Sequence, residues 1–536
     1  MPPPLSRLGC ANQVVSKSQF CPRDGTLTCS GCFLVRYCSK DCQFAHWKLH
    51  KKDCKNHLKS TSWSPAWIKG KRSHRSLTVT TYILVSFQCN LRLEWAWWGN
   101  IQAIDIINAK YNEGLEDIRN RNLSMAFIGA PSDSDLRNVV TTINELPESY
   151  SGSIKIVLND HNPMVVCRNL MILSILGIIS DVVSIMEAAE HALHLWYSVF
   201  QPISYQTRIL PHICESDVFT KLNEMSAHLT PSTTLCTTLS SATVQFFLYQ
   251  LRSPLDPAFA NTALNNIMNA PARVDYRDRY YEAISPSHRV AFEKWRSFGL
   301  VLPFGAPDAH MAIPNKWLFF DGRLMLNDCA NPFEGWNIDE IFKAGKDHGT
   351  TEEDLIGCLF FYIKDQLVEF SNRLRRFKIQ IYSFDQDARI LQRTLKSNAS
   401  FPKVFDRIEV SNIMDKNYVG MSVLSDWGPL LNKSNPHSAI VGLFMNWPTW
   451  KESGNALSSS SSDVTCAMKR MASCPYAVMG IMNSINMFHD TSHPFEEYLR
   501  DERETLISRK AGLQRRHVHK IVPHVCLSCL HNSAYG

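Results

Sequence analysis

Several signals are missing from this sequence of 536 residues, and each absence excludes a class of protein. No apolar stretch reaches the roughly 20 residues of a membrane-spanning helix. The longest, Leu170 to Ile179, is short and is flanked by Arg168 and Asp181. The opening Met1-Pro-Pro-Pro-Leu-Ser-Arg has no apolar core of the signal-peptide kind. Charge of one sign is also scarce. The net charge of +6 gives no polyelectrolyte signature for nucleic acid or membrane. Common catalytic signatures are absent as well: there is no Gly-x-x-x-x-Gly-Lys-[Ser/Thr], no His-Glu-x-x-His, and no Gly-x-Ser-x-Gly in a strand-turn-helix setting. What remains, at 45% hydrophobic and 20% charged residues, is the composition of a soluble globular protein. Its length predicts about two to four structural units.

Cysteine is present and unevenly spread. Of 17 in the chain, seven fall within the first 54 residues. They run Cys29-x2-Cys32-x5-Cys38-x3-Cys42-x7-His50-x3-Cys54, with Cys21 and Cys10 upstream. Soft thiolates and one imidazole at such intervals suit tetrahedral zinc. Eight ligands divide into two four-coordinate sites with no open position, the structural form of zinc binding. Gly31 permits a tight turn between Cys29 and Cys32, and Lys40 to Lys52 has a helical composition. His46 and His57 lie off the ligand spacing and are expected at the surface. Thiols in a zinc pattern without a signal peptide predict an intracellular protein, cytoplasmic or nuclear.

The string Tyr37-Cys38-Ser39-x2-Cys42-Gln43-x2-His46-Trp47-x2-His50-Lys51-x2-Cys54 resembles the MYND-type zinc finger. The resemblance implies interleaved ligands: Cys10, Cys21, Cys38 and Cys42 on one zinc, and Cys29, Cys32, His50 and Cys54 on the other. One departure is visible, because the family opens with a Cys-x2-Cys pair whereas Cys10 and Cys21 lie far apart, with Gln13 in the usual partner position. The resemblance also implies a module that binds proline-containing peptides of protein partners and does not read DNA bases. Trp47 and Tyr37 are candidates to seat such a ligand, whose preformed extended conformation lowers the entropy cost.

Beyond the finger (10–54) and a linker (55–94), with a possible strand at Leu77 to Phe87, the pattern changes. Leu123 to Ile128 and Ile154 to Leu158 are apolar runs of buried-strand length. Between them, Ser132 with Asp135 resembles a capping box, and Leu136, Val140, Ile143 and Leu146 form a helical stripe. A helix is expected from Pro163 to Ile179. Strand, helix, strand is a βαβ unit. Three more strand candidates follow at 379–384, 405–410 and 439–444. The expected fold class is α/β: a Rossmann-like, doubly wound sheet in two halves, 95–202 and 351–450. A mostly helical insertion (203–350) separates them, and a serine-rich linker with a C-terminal extension (451–536) ends the chain. Lys364 to Arg376 reads as an amphipathic helix whose Arg373, Arg375, Arg376 and Lys378 are expected in solvent. Cys526-Leu-Ser-Cys529 is too isolated to predict a third metal.

A second resemblance rests on Trp98-Gly99-Asn100, Asn112-Glu113-Gly114, Asp135-Leu-Arg-Asn138, Leu158-Asn-Asp160, Lys364-Asp365-Gln366-Leu367, Phe405-Asp-Arg-Ile408, Val410-Ser-Asn412 and Asp426-Trp-Gly. Together they are similar to an uncharacterised domain that follows the MYND finger in many fungal proteins. A related domain occurs in axonemal dynein assembly factors, with a layout like that of class I methyltransferases. Open α/β sheets bind ligands at strand C-termini, which makes Gly129 and Asp160 candidates for a nucleotide or S-adenosylmethionine. Against this, Gly129-Ala-Pro131 lacks the Gly-x-Gly-x-x-Gly run, and Pro131 removes a backbone donor. Asp160 has an alternative role capping the next helix. No segment of the SET-methyltransferase type is present. The reading is a zinc-binding adaptor with no assigned catalytic residue, and an S-adenosylmethionine-dependent methyltransferase is the alternative.

Overall fold

The structure is a computed structural model that describes residues 4–14, 19–73, 98, 101–129, 136–223, 226–455, 458, 460–472, 489–516 and 521. The candidate strand at 77–87, the Ser132/Asp135 box, Gly99, Asn100 and the Cys526/Cys529 pair lie outside these residues. The described chain divides into two compact units. One draws on the spans 1–97, 179–214 and 250–368, and the other on 98–178, 215–249 and 369–536. The first unit contains the cysteine-rich segment, whose main element is helix α1 (Lys40–Cys54).

The second unit is built on a seven-stranded mixed sheet. In chain order its strands are β1 (Leu123–Phe127), β2 (Ser153–Asn159), β3 (Ala227–Thr230), β4 (Thr233–Thr238), β5 (Lys378–Phe384), β6 (Arg407–Glu409) and β7 (Ala439–Val441). Their spatial order is β7-β6-β1-β2-β5-β4-β3. All neighbours run parallel except the edge pair β3/β4. In-register apolar pairs cross the middle of the sheet, with Met125 opposite Ile156, then Ile156 opposite Ile381, then Ile381 opposite Leu235. Residues buried on both faces explain why the central strands read as near-continuous apolar runs.

Strands β3 and β4 come from the stretch expected to be helical, and residues 215–249 group with the sheet. Thr233 to Thr238 alternates buried and half-buried positions, as an edge-region strand should. Prolines at 231, 254 and 257 hide this signal, and Pro231 lies in the two-residue turn that joins the hairpin. Thr230 and Ser232 close the turn by donating to the carbonyls of Leu374 and Arg375 at 2.6 and 2.7 Å.

After β2, helix α2 (Pro163–Gly177) is buried from Met164 to its end. Asn162 caps it by accepting from Met164 N at 3.0 Å, and Pro163 supplies the preset φ of a first helical residue. Its C-terminal carbonyls would be orphaned in this dry setting. Arg375 satisfies two of them, donating to Leu176 O at 2.9 Å and Gly177 O at 3.0 Å. Arg373 donates to Ile143 O and Leu146 O, at and beyond the end of the helix Arg137–Asn144. Contrary to the expectation from the sequence pattern, Arg373 and Arg375 are therefore engaged inside the fold. They cap other helices, because a guanidinium can reach several carbonyls at once. In the C-terminal extension, Tyr498 and Leu499 join the core formed by Ile408, Trp427 and Trp447.

Two motifs distant in sequence meet at one ion pair. Arg407 and Glu113 have fully buried side chains, with Arg407 Nη2 at 2.8 and 2.9 Å from the two carboxylate oxygens. Arg407 also donates to Ile106 O and Ile107 O, and Asn435 donates to both Glu113 and Asp406. Breaking a buried pair leaves a lone charge in low dielectric, at a cost of about 3–5 kcal/mol. Glu113→Gln is therefore expected to lower the urea midpoint of the sheet unit strongly, followed by far-UV circular dichroism. An unchanged midpoint would show that the pair contributes nothing.

Candidate metal centre

The finger has very little regular structure of its own. Two antiparallel hairpins with strands of two residues, Gln13–Val14 with Gln19–Phe20 and Leu27–Thr28 with Arg36–Tyr37, precede α1. Ser39 caps α1, its hydroxyl accepting from Cys42 N at 3.2 Å. The helix then places Cys42, His46, His50 and Cys54 four residues apart, on one face.

The eight cysteine and histidine residues singled out by spacing fall into two groups: Cys10, Cys21, Cys38 and Cys42, and Cys29, Cys32, His50 and Cys54. Within each group all ligand atoms lie within 4.8 Å of one another. A tetrahedral zinc with Zn–S bonds of about 2.3 Å sets its sulfurs about 3.8 Å apart. Here Cys29 Sγ and Cys54 Sγ are 3.8 Å apart, Cys21 Sγ and Cys38 Sγ 3.6 Å, and Cys38 Sγ and Cys42 Sγ 3.5 Å. Cys32 Sγ and His50 Nε2 are 3.4 Å apart. The donor sets, four thiols in one group and three thiols with an imidazole in the other, fit two structural zinc ions with no open position. Such ions cross-link chain segments that could not otherwise hold together.

The first hairpin explains how Cys10 reaches its group. Cys21 N donates to Asn12 O at 2.9 Å and Cys10 N to Arg23 O at 2.8 Å, so the paired segments bring two distant cysteines side by side. The hairpin takes the place of the short Cys-x2-Cys turn. Gly31 is needed for proximity rather than for an unusual φ, because a Cβ there would lie 2.8 Å from Cys54 Sγ. The left-handed residue of this loop is Phe33, at φ 62°.

Burial favours the protonated form of several of these thiols. Burial pushes Cys10 up to about 12 and raises Cys32 and Cys54 as well, while the hydrogen bond from Asn12 Nδ2 brings Cys42 down to about 7. Burial takes His50 down to about 4, so its imidazole is neutral, with one ring nitrogen able to ligate, throughout the neutral range. Bound zinc displaces the thiol protons, which makes its affinity pH-dependent.

Two expectations about neighbours change. His46 is buried rather than exposed: its Nδ1 is 3.0 Å from the Tyr37 hydroxyl and its ring stacks on His50 at 6.0 Å. Its position four residues from both Cys42 and His50 was the sequence signal for this. Tyr37 is wholly inaccessible and packs between the two groups, so it presents no binding surface. Trp47 remains accessible at 36%, and Phe44, on the same helix face, at 76%.

At the other candidate site, the C-terminal ends of β1, β2 and β5, Asp160 accepts from Asn162 N at 2.8 Å and so forms the turn that leads into α2. The cavity bounded by Phe127, Asn159, Asp160, Asn169 and Ser383 has a volume of about 10 Å³, room for a single water. Residues 130–135, which include Pro131, lie outside the described residues.

Comparison with known families agrees with this geometry. Residues 18–54 match the MYND finger, and residues 97–201 match a domain of unknown function, DUF4470. No curated protein and no solved structure matches the chain. The finger match begins after Cys10, and the structure places that residue in the group the resemblance implies. His50→Ala and Cys10→Ala are each expected to reduce bound zinc from about two ions per chain to about one. Metal analysis of the purified variants measures this, and full retention by Cys10→Ala would remove that residue from the ligand set.

Proposed function

We propose that this protein is a zinc-dependent intracellular adaptor, in which the eight cysteine and histidine residues ligate two zinc ions and the finger docks a proline-containing peptide of a partner protein. The observation that carries this reading is an apolar helix face held rigid beside two closed metal sites. Phe44 and Trp47, three residues apart, stand out from α1, and Leu49 on the same helix is 50% exposed. Exposed aromatic side chains give contact area at low entropy cost and are the usual anchors of peptide recognition. Lys48, Lys51 and Lys52 lie on the same helix and would favour a ligand with acidic flanks.

The scattered motifs shared with the fungal MYND proteins support the same placement, and the parallel core of the sheet supports a Rossmann-like ancestry. A methyltransferase would need S-adenosylmethionine at the strand C-termini. The single-water cavity there and the structural role of Asp160 favour a scaffold instead.

Trp47→Ala is expected to weaken binding to a proline-containing peptide by at least about tenfold, or ~1.4 kcal/mol, with zinc content unchanged. Fluorescence anisotropy against a proline-peptide library measures it. The adaptor reading fails if the Phe44→Ala/Trp47→Ala variant binds as the unaltered chain does. Calorimetric titration with S-adenosylmethionine is expected to show no heat, and micromolar binding abolished by Asp160→Ala would put the methyltransferase reading first.

A further inference from the structure

Residues 5, 6 and 8 make backbone hydrogen bonds within the finger unit, and the side chain of Leu8 is buried. Leu5 N donates to Glu190 Oε1 at 2.6 Å, and Leu5 O accepts from Lys364 Nζ. Lys364 Nζ also lies 2.8 Å from Glu190 Oε1, so the ion pair grips both polar groups of one residue's main chain. Further along, Ser6 O lies 2.7 Å from His348 Nδ1, and Leu8 N donates to His348 O at 2.9 Å. The other ring nitrogen, His348 Nε2, is 2.8 Å from Asp365 Oδ2.

Both partners of the imidazole are acceptors, a carbonyl and a carboxylate. A neutral imidazole has one N–H and satisfies one of them, whereas an imidazolium donates to both. The surroundings favour the cation. His348 caps the C-terminus of the helix Ile338–Asp347, where the helix dipole is negative, and its ring stacks on Phe361 at 4.6 Å. The charged groups around it are mixed. Asp365 attracts the cation and Lys364 opposes it, while Glu190 neutralises Lys364. Lys346 and Asp347 precede it on its own helix, Arg7 lies in the held segment, and Arg36 donates to the neighbouring Gly349 O. The net result, led by the hydrogen bond to Asp365, holds His348 above the usual imidazole value.

We propose that Glu190, Lys364 and His348 form a receptor for peptide main chain, that residues 5–8 of this chain occupy it as a latch, and that the charge on His348 sets how firmly the latch is held. The polar contacts read N–H and C=O groups, the side chain of Leu8 is buried as well, and tethering supplies a high effective concentration of this occupant. The latch leads directly into Cys10 and keeps that residue beside its zinc group. The sign of the pH dependence follows from the raised folded-state value. The stabilisation is fully present below the unfolded imidazole pKa and is lost as pH rises through the folded one.

Hydrogen–deuterium exchange on the full-length, zinc-loaded protein tests this, using a peptic fragment that covers Leu5 to Leu8 and rates corrected for intrinsic exchange at each pH. Protection is expected to fall by about tenfold or more between about pH 6 and pH 9, the scale set by one pKa unit. His348→Phe, which keeps the ring stack, is expected to show low protection at both pH values. Asp365→Asn, whose side chain is 45% exposed, keeps the fold and is expected to move the loss of protection to lower pH. Equal protection of the unaltered chain at the two pH values, or the same pH profile in Asp365→Asn, would overturn the proposal.

Discussion

Closed metal coordination is the constraint on which the N-terminal finger depends. Strands of two residues and one 15-residue helix cannot bury enough apolar surface to hold a fold. Two tetrahedral sites replace the missing core, and α1 ties them together by giving Cys42 to one and His50 with Cys54 to the other. Tyr37 and His46 hydrogen-bond to each other and pack against His50. The rest of the unit is fastened to the finger by side-chain donors on main-chain carbonyls: the Ser287 hydroxyl donates to Cys32 O at 3.0 Å, and the Arg36 guanidinium donates to Gly349 O.

In the sheet unit the corresponding problem is buried polarity. Parallel strands buried on both faces leave many carbonyls and several charges away from water. Arginines resolve much of it. Arg373 and Arg375 take up helix-terminal carbonyls, and Arg407 joins Glu113 with the carbonyls of Ile106 and Ile107. Long planar donors suit this role, and a lysine would satisfy fewer acceptors. The Asn112-Glu113-Gly114 and Phe405-Asp-Arg-Ile408 segments, which look unrelated along the chain, converge on one network. Asp406 completes it by accepting from Ser124 N, Asn432 and Asn435.

The elements legible from sequence were those with a local cause. Five strands were visible from their apolar runs, most clearly the central β1 and β2, which are buried on both faces. Helix α2 was visible from its apolar composition, although its cap is Asn162 and not Asp160. The β3/β4 hairpin was not, since its alternation is short and prolines lie in its own turn and beyond it. Arg373 and Arg375 were misread for a related reason: a cluster of arginines at a helix end is usually solvated, and only the location of distant carbonyls makes it a capping device.

The candidate metal centre divides in the same way. Sequence alone determined the ligand types and the rhythm of Cys29 to Cys54, because zinc geometry demands short, regular intervals. The helical composition of 40–52 also pointed to the element that carries several of them. The resemblance implied Cys10 as well, but only the tertiary structure showed how it is brought in, by a hairpin rather than a short spacing, and that His46 and Tyr37 lie inside. The tertiary structure alone decided that Asp160 shapes a helix entry, because hydrogen-bond partners and cavity volume are properties of the folded chain.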